Sequence, residues 1–528
     1  MHGSQRFNRR EALKLAALGS AGLLLPVERF ARASGGSAAS RIVSSGLPQP
    51  YAAQFARPPV LSPIRTDATT DYYRLTQQQA LVEILPGKQT PIFGYNGIAP
   101  GPTIVARRGR PVVVQQVNAL PTVHPTLGYT PYTATHLHGS ASLPEYDGYT
   151  SDVTQPGQWK NYHYPNSQDA RTLWYHDHAV GITAQNAYFG LAAQYHLHDA
   201  NELGLGLPSG DYDVPLIIRD AMFAADGSLI FDDSDHSGLF GDVILVNGKP
   251  WPAMPVERRK YRFRMLNASI SRSYRLRLST GEPFTMIASE GGLAPVPQRV
   301  GDFRFGMAER YEMVIDFSQY RIGQRVLLQN LKPKNNIDYQ HTDKIMAFDV
   351  VAEPSTLAGN SVPDQLNPNM ACMGLTEADG VTTRMFEFVR RQGQWTINGR
   401  TWADVVASNY TLLEAHPAAN DVEIWQFKND SGGWFHPVHV HLVDFKILDR
   451  NGKPPFDYER VAKDVVYLGE NETVRVIMRF DNQVGRYMVH CHNLVHEDHD
   501  MMIQYEVGAG GHDPITADPA RNGPAPAL

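Results

Sequence analysis

Two cysteines in 528 residues, Cys372 and Cys491, permit at most one disulfide bridge. A cross-linked scaffold is therefore excluded, and stability must come mainly from buried apolar surface. Charge is also sparse: Asp, Glu, Lys and Arg make up 19% of the chain, with a formal net charge of -6. That composition provides no basic field to attract nucleic acid or an acidic membrane surface, which leaves small molecules or proteins as partners. Beyond residue 25 no run is long and apolar enough to cross a bilayer.

What the chain does have is glycine (44), proline (37) and aromatic residues (10%). Runs such as "RPVVVQQV" and "YRFRMLNASISRSYRLRL" alternate in polarity or are rich in β-branched residues, as strands are. The length fits about three domains of roughly 150 residues each. "ANELGLGLPSGDYD" near 205 and "AEPSTLAGNSVPDQLNPNM" after 352 read as breaks between strand-rich blocks. The expectation is an all-β chain of three β-sandwich domains, at 34–205, 206–355 and 356–510, with a mobile Gly, Pro and Ala tail at 511–528. Residues 34 to about 65 read as an extended surface arm with no assigned chemistry.

The N-terminus reads differently. "NRR" at 8–10 precedes the apolar run "EALKLAALGSAGLLL", and "ARA" at 31–33 offers a small-residue cleavage site. Arg9 and Arg10, with Leu13 and Lys14, resemble a twin-arginine export signal cleaved after about Ala33. The expected partner is the twin-arginine export machinery and the expected location is periplasmic or extracellular.

Histidine is concentrated in "HLHG" at 136–139, "WYHDH" at 174–178, "HPVHVH" at 436–441 and "HCHNLVHEDHDMM" at 490–502. In a strand alternate side chains share a face, so His136 and His138, His176 and His178, His439 and His441, and His490 and His492 form four pairs. Their eight imidazoles exceed what one four-coordinate zinc ion can use, which calls for a multinuclear cluster. The same alternation sends the Cys491 sulfur to the opposite face. There it can join His436 and His496 in a trigonal set with Met501 as a weak axial thioether, the ligand pattern of blue-copper electron transfer. One strand would then serve two sites, back to back.

These motifs, HxHG and HxH early, HxxHxH and HCHx3Hx4M late, resemble those of the multicopper oxidases over roughly residues 70 to 508. Within that family the chain looks most like bilirubin oxidase and the bacterial spore-coat laccases, through "GDVILVNGKPWPAMPVERRKYRFRMLNASISRSYRLRL", "GWFHPVHVHLVDF" and "HEDHDMM". The resemblance implies cupredoxin-like Greek-key domains and four copper ions. By position it implies a type 1 copper at His436, Cys491, His496 and Met501, and a type 2 copper at His136 and His439. His138, His176, His178, His441, His490 and His492 would hold a type 3 pair.

The implied activity is one-electron oxidation of phenolic or tetrapyrrole donors, coupled to reduction of dioxygen to water. Asp147 and Glu497 match positions where the family keeps acids near its cluster, and are expected to relay protons. A cuprous or manganese oxidase serving metal tolerance is the alternative, although the 15 methionines form no Met-rich insertion. A copper-free exported scaffold would have lost the twelve ligand positions that are intact here. Trp434 reads as part of the donor surface or as a packing residue. Cys372 reads as a small core residue or, with Met370 and Met373, as a soft Cu(I) site.

Overall fold

The computed structural model describes residues 40–528, so the expected signal at 1–33 lies outside the described residues. The chain is all-β, with short helices only in the connections. Residues 71–198, 213–352 and 382–507 each contribute their own pair of sheets. In the first stretch, a four-stranded sheet runs Ile104–Arg107, Ala192–His198, Arg171–Asp177, Thr135–His138. In the last, another runs Val465–Leu468, His436–Val440, Gly485–Cys491, Met502–Val507. These two sheets carry every histidine motif.

Alternation explains how the strands pair into layers. Tyr274–Leu278 buries Tyr274, Leu276 and Leu278 while Arg275 and Arg277 face solvent. In the last stretch, Phe386, Trp425 and Val476 of the five-stranded sheet share one core with Val438, Val489 and Ile503 of the four-stranded sheet. Two sheets closing on one apolar layer is the cupredoxin-like sandwich. Cys491 and Met501 belong to that same buried layer.

One expectation about the chain ends needs correction, and the other, an extended surface arm, holds. The tail at 511–528, read as mobile from its composition, runs back onto the first stretch: Arg521–Asn522 pairs with Gln158 and Trp159, and the Pro526 carbonyl accepts hydrogen bonds from Arg74 and Gln115. Backbone pairing to a remote edge strand is invisible to a compositional argument. The arm before 65 is likewise tied down: Ile42 and Leu47 are buried, and isolated bridges join Arg41 to Ala224, Gln54 to Ala253 and Val60 to Thr103.

The blocks meet through buried charge. Arg262 and Arg264 of the middle stretch pair with Glu202, Asp213 and Glu312. Among the described residues the two cysteines are free thiols. Cys372 sits on the short helix Ala371–Gly374 against the core, where burial pushes its thiol up. It packs against the core as a small apolar residue, and among the described residues it joins no set of His, Asp or Glu ligands.

Candidate metal centre

Strand register assembles the site. His136 lies directly opposite His176, and His439 directly opposite His490, so each sheet presents its imidazoles on one face. Val438 opposes Cys491, one residue out of phase and therefore on the other face. Pro437 does not break the strand: it pairs with Tyr467, and its carbonyl accepts from the backbone N–H of His492. His436, two residues before Val438, shares the cysteine's face.

On that face three ligand atoms form a triangle. His436 Nδ1 is 3.3 Å from Cys491 Sγ, Cys491 Sγ is 3.7 Å from His496 Nδ1, and the two Nδ1 atoms are 3.3 Å apart. The point equidistant from the three lies about 2 Å from each, close to metal–imidazole and metal–thiolate bond lengths of about 2.0 and 2.3 Å. The other ring nitrogens are held: His436 Nε2 by Ser431 Oγ at 2.8 Å, and His496 Nε2 by the Ser237 carbonyl at 3.0 Å. Met501 is fully buried beside them; its N–H donates to the His496 carbonyl, and its carbonyl accepts from Cys491 N–H. Burial pushes the His436 imidazole down to about 3, so it stays neutral and able to ligate.

On the opposite face eight histidines converge. His138, His176 and His492 have rings within 5.8 Å of one another. His178, His441 and His490 point their ring nitrogens together, with His490 Nε2 at 3.2 Å from His178 Nε2 and 3.1 Å from His441 Nε2. His136 and His439 lie between the triads, stacked on His441 and His138 at 4.0 and 3.6 Å respectively.

The second nitrogen of five of these rings is anchored. His136 Nδ1 donates to the Asp147 carbonyl, His176 Nδ1 to the Asp177 carbonyl, and His439 Nδ1 to the Asp464 carbonyl. His441 Nδ1 donates to Asp147 Oδ2 at 2.8 Å and His138 Nε2 to Asp464 Oδ1 at 3.1 Å. That leaves His136 Nε2, His138 Nδ1, His176 Nε2, His178 Nδ1 and His439 Nε2 buried without a partner, with both nitrogens of His492. Burying so many unpaired polar atoms is costly. Oriented lone pairs on neutral imidazoles fit a metal cluster, and the thiolate set behind fits copper.

The two expected acids are both there. Asp147 follows the turn Pro144–Tyr146, and Gly148 follows it at φ +74°, where a Cβ would meet the Thr135 carbonyl at 2.5 Å. Burial pushes the Asp147 carboxyl up, against the pull of His136. Glu497 Oε2 is 2.9 Å from His490 Nδ1, and Oε1 is 3.7 Å from His178 Nε2.

Of two further acids next to the histidine motifs, Asp177 uses its carboxylate to hold Ala134, Ala179 and Asn186, whereas Asp444 pairs with Arg171. Trp434 lies outside the strand, half-buried, with its ring 5.9 Å from His496. Sequence reasoning missed Trp395, which stacks on His496 at 3.8 Å, and Asp464, which carries two ligand contacts. Neither stands in a recognisable motif, and "QWTI" and "KDVV" read as ordinary strands.

Comparison with known proteins agrees with this geometry. The multicopper oxidase family pattern matches residues 76–202 and 377–511. A bilirubin oxidase of Albifimbria verrucaria is 43% identical over 431 residues, spanning 78% of this chain and 72% of its own length. A laccase of Bacillus subtilis (strain 168) is 34% identical over 515 residues, spanning 85% of this chain and 97% of its own. The crystal structure of a laccase from Pediococcus acidilactici superposes with a TM-score of 0.77 at 29% identity, covering 88% of this chain and 95% of that one. With these similarities added to a trigonal Cys–His set back to back with eight converging imidazoles, the chain belongs to the multicopper oxidase family of copper-dependent oxidoreductases.

Proposed function

We propose that the protein oxidises phenolic or tetrapyrrole donors, one electron at a time, and reduces dioxygen to water with four bound copper ions. The observation that carries this is the alternation across one strand: Cys491 faces His436 and His496 while its neighbour His490 faces His178 and His441. His436, Cys491, His496 and Met501 would hold the type 1 copper, and His136 with His439 the type 2 copper. His138, His176 and His492 would hold one type 3 ion, and His178, His441 and His490 the other. Copper bound there supplies one-electron redox chemistry at the thiolate site and a multi-electron reduction site behind it.

The protein's own contribution is placement and protons. Two peptide units link the Cys491 side chain to His490 and His492, a covalent route between the faces. Both His436 and His496 are fully buried, so a donor meets the half-buried surface formed by Ser237 and Trp434 rather than an exposed ligand. Asp147 and Glu497 act as proton relays: each holds an imidazole Nδ1–H with one oxygen and keeps the other near the cluster.

We also propose export by the twin-arginine route to the periplasm or the cell exterior, supported by Arg9, Arg10 and the apolar run at 11–25. The domain division at 34–205, 206–355 and 356–510 is supported by the separate sheet pairs. Cuprous or manganese oxidation is not favoured, since the relatives reported above are a bilirubin oxidase and laccases.

The test is to purify the protein with copper and measure its visible spectrum, its copper content and its oxygen uptake with bilirubin, a phenol, Cu(I) and Mn(II). Intense blue colour and oxygen consumed with bilirubin or the phenol support the proposal. A colourless, copper-poor protein, or uptake with the metal ions alone, overturns it.

A further inference from the structure

The middle stretch supplies none of the proposed copper ligands, yet one of its side chains reaches the cluster. Arg310, on the strand Arg310–Asp316, is fully buried. Its Nη1 and Nη2 grip Asp464 Oδ1 and Oδ2 at 2.7 and 2.6 Å. Nη1 also donates to the Ala308 carbonyl, and Nε donates to the Thr172 carbonyl at 3.0 Å, on the strand that carries His176. Asp464 in turn accepts from His138 Nε2 through Oδ1 and from His439 Nδ1 through its carbonyl.

We infer that Arg310 is a positioning residue for the cluster, holding Asp464 as a hydrogen-bond acceptor for His138 and His439 and keeping that carboxylate from becoming a metal ligand itself. The inference rests on the copper assignment proposed above. Two independent observations support it. His138, His439 and Asp464 place one ligand atom each within 4.8 Å of one another, so an unrestrained carboxylate has a metal set within reach. Gly139, the last residue of "HLHG", stands against the pair: a Cβ there would lie 2.5 Å from Arg310 Nη2 and 2.6 Å from Asp464 Oδ2. The glycine of that motif, already favoured by its φ of +86°, thus also leaves room for an arginine from another part of the chain.

The chemistry needs arginine in particular. A bidentate guanidinium occupies both carboxylate oxygens and fixes the plane of the group; a lysine ammonium neutralises the charge without fixing the plane. With the fork in place, Asp464 Oδ1 has a single remaining direction for His138, and that sets the ring so that Nδ1 is left free. His439 is set through the backbone of the same residue.

The experiment compares copper-loaded wild type, Arg310→Met, Arg310→Lys and, as a stability control, Arg450→Met. Arg450 makes a two-point pair with Glu459 that is also buried, and it touches no cluster histidine. Type 2 copper is read by its paramagnetic resonance signal and type 1 copper by blue absorption. In Arg310→Met the ratio of type 2 signal to blue absorption should fall about tenfold, the usual effect of losing a ligand's outer hydrogen-bond partner. Arg310→Lys should fall between, and should be read alone if the Met variant does not accumulate. Arg450→Met should lower the melting temperature and leave the ratio at the wild-type value.

An unchanged ratio in both Arg310 variants, or an equal fall in Arg450→Met, would overturn the inference. A wild-type protein with blue colour and no type 2 signal would instead overturn the cluster assignment beneath it.

Discussion

Cys491 Sγ and His436 Nδ1 stand 3.3 Å apart on the face of the sheet opposite His490, with both side chains fully buried. Burial, with a smaller push from the Glu497 charge, holds the thiol well above its ordinary range against the pull of the Asn493 N–H. Only a bound metal ion makes a thiolate stable in such a place.

Cys491→Ser should therefore abolish the blue absorption while leaving the eight-histidine cluster able to bind copper. Oxidase turnover should fall by more than about a thousandfold, about 4 kcal/mol in barrier. Copper analysis and a visible spectrum on the same sample check this; retained blue colour would remove Cys491 from the site.

Asp147→Asn keeps the size and shape of the side chain and an acceptor for His441 Nδ1, but can no longer hold or pass on a proton. Dioxygen reduction should slow by about 10- to 100-fold, with blue colour and melting temperature unchanged. Single-turnover reoxidation of the reduced protein by oxygen measures it, and unchanged rates would leave Asp147 a turn residue only.

Trp395 stacks on His496 and donates Nε1–H to the His236 carbonyl at 2.7 Å, in the loop whose Ser237 carbonyl caps His496. Trp395→Phe keeps an aromatic face and loses that hydrogen bond, at a cost of about 1 kcal/mol. We expect KM for a bulky donor to change more than the rate of oxygen reduction, because the loop borders the donor surface. Equal changes in both would place Trp395 in the core alone.

Acid stability should depend on Glu202. Burial raises its carboxyl, but the hydrogen bond from His198 and the charges of Arg262 and Arg264 outweigh it and bring the group from 4.5 down to about 2. A folded value below the unfolded one means stability that is fully present above about pH 4.5 and is lost as the pH falls towards 2. Glu202→Gln should remove on the order of 3 kcal/mol at neutral pH and flatten the pH dependence of the melting temperature between those limits. A variant with the wild-type acid profile would show that the arginines are satisfied by Asp213 and Glu312 alone.

The motif spacing in the sequence was enough to settle much of the site. Side chains two apart in a strand share a face and neighbours do not, so "HCH" by itself separated Cys491 from His490 and His492. "HPVHVH" likewise separated His436 from His439 and His441. These are local consequences of backbone geometry: the strands His436–Val440 and Gly485–Cys491 realise them, and His441 and His492, one residue past the strand ends, still join the cluster.

What local pattern could not supply was the company those rings keep. Asp464 reaches His138 across 326 positions of chain, and Arg310 reaches Asp464 across 154. No periodicity encodes such contacts, because they exist only after separate pairs of sheets have packed and excluded water. The sheet pairs of 71–198, 213–352 and 382–507 and their strand faces follow from residue order. Which carboxylate orients which imidazole, and which side chains crowd Gly139, follows from packing between blocks, where distance in sequence counts for nothing and a few ångströms decide.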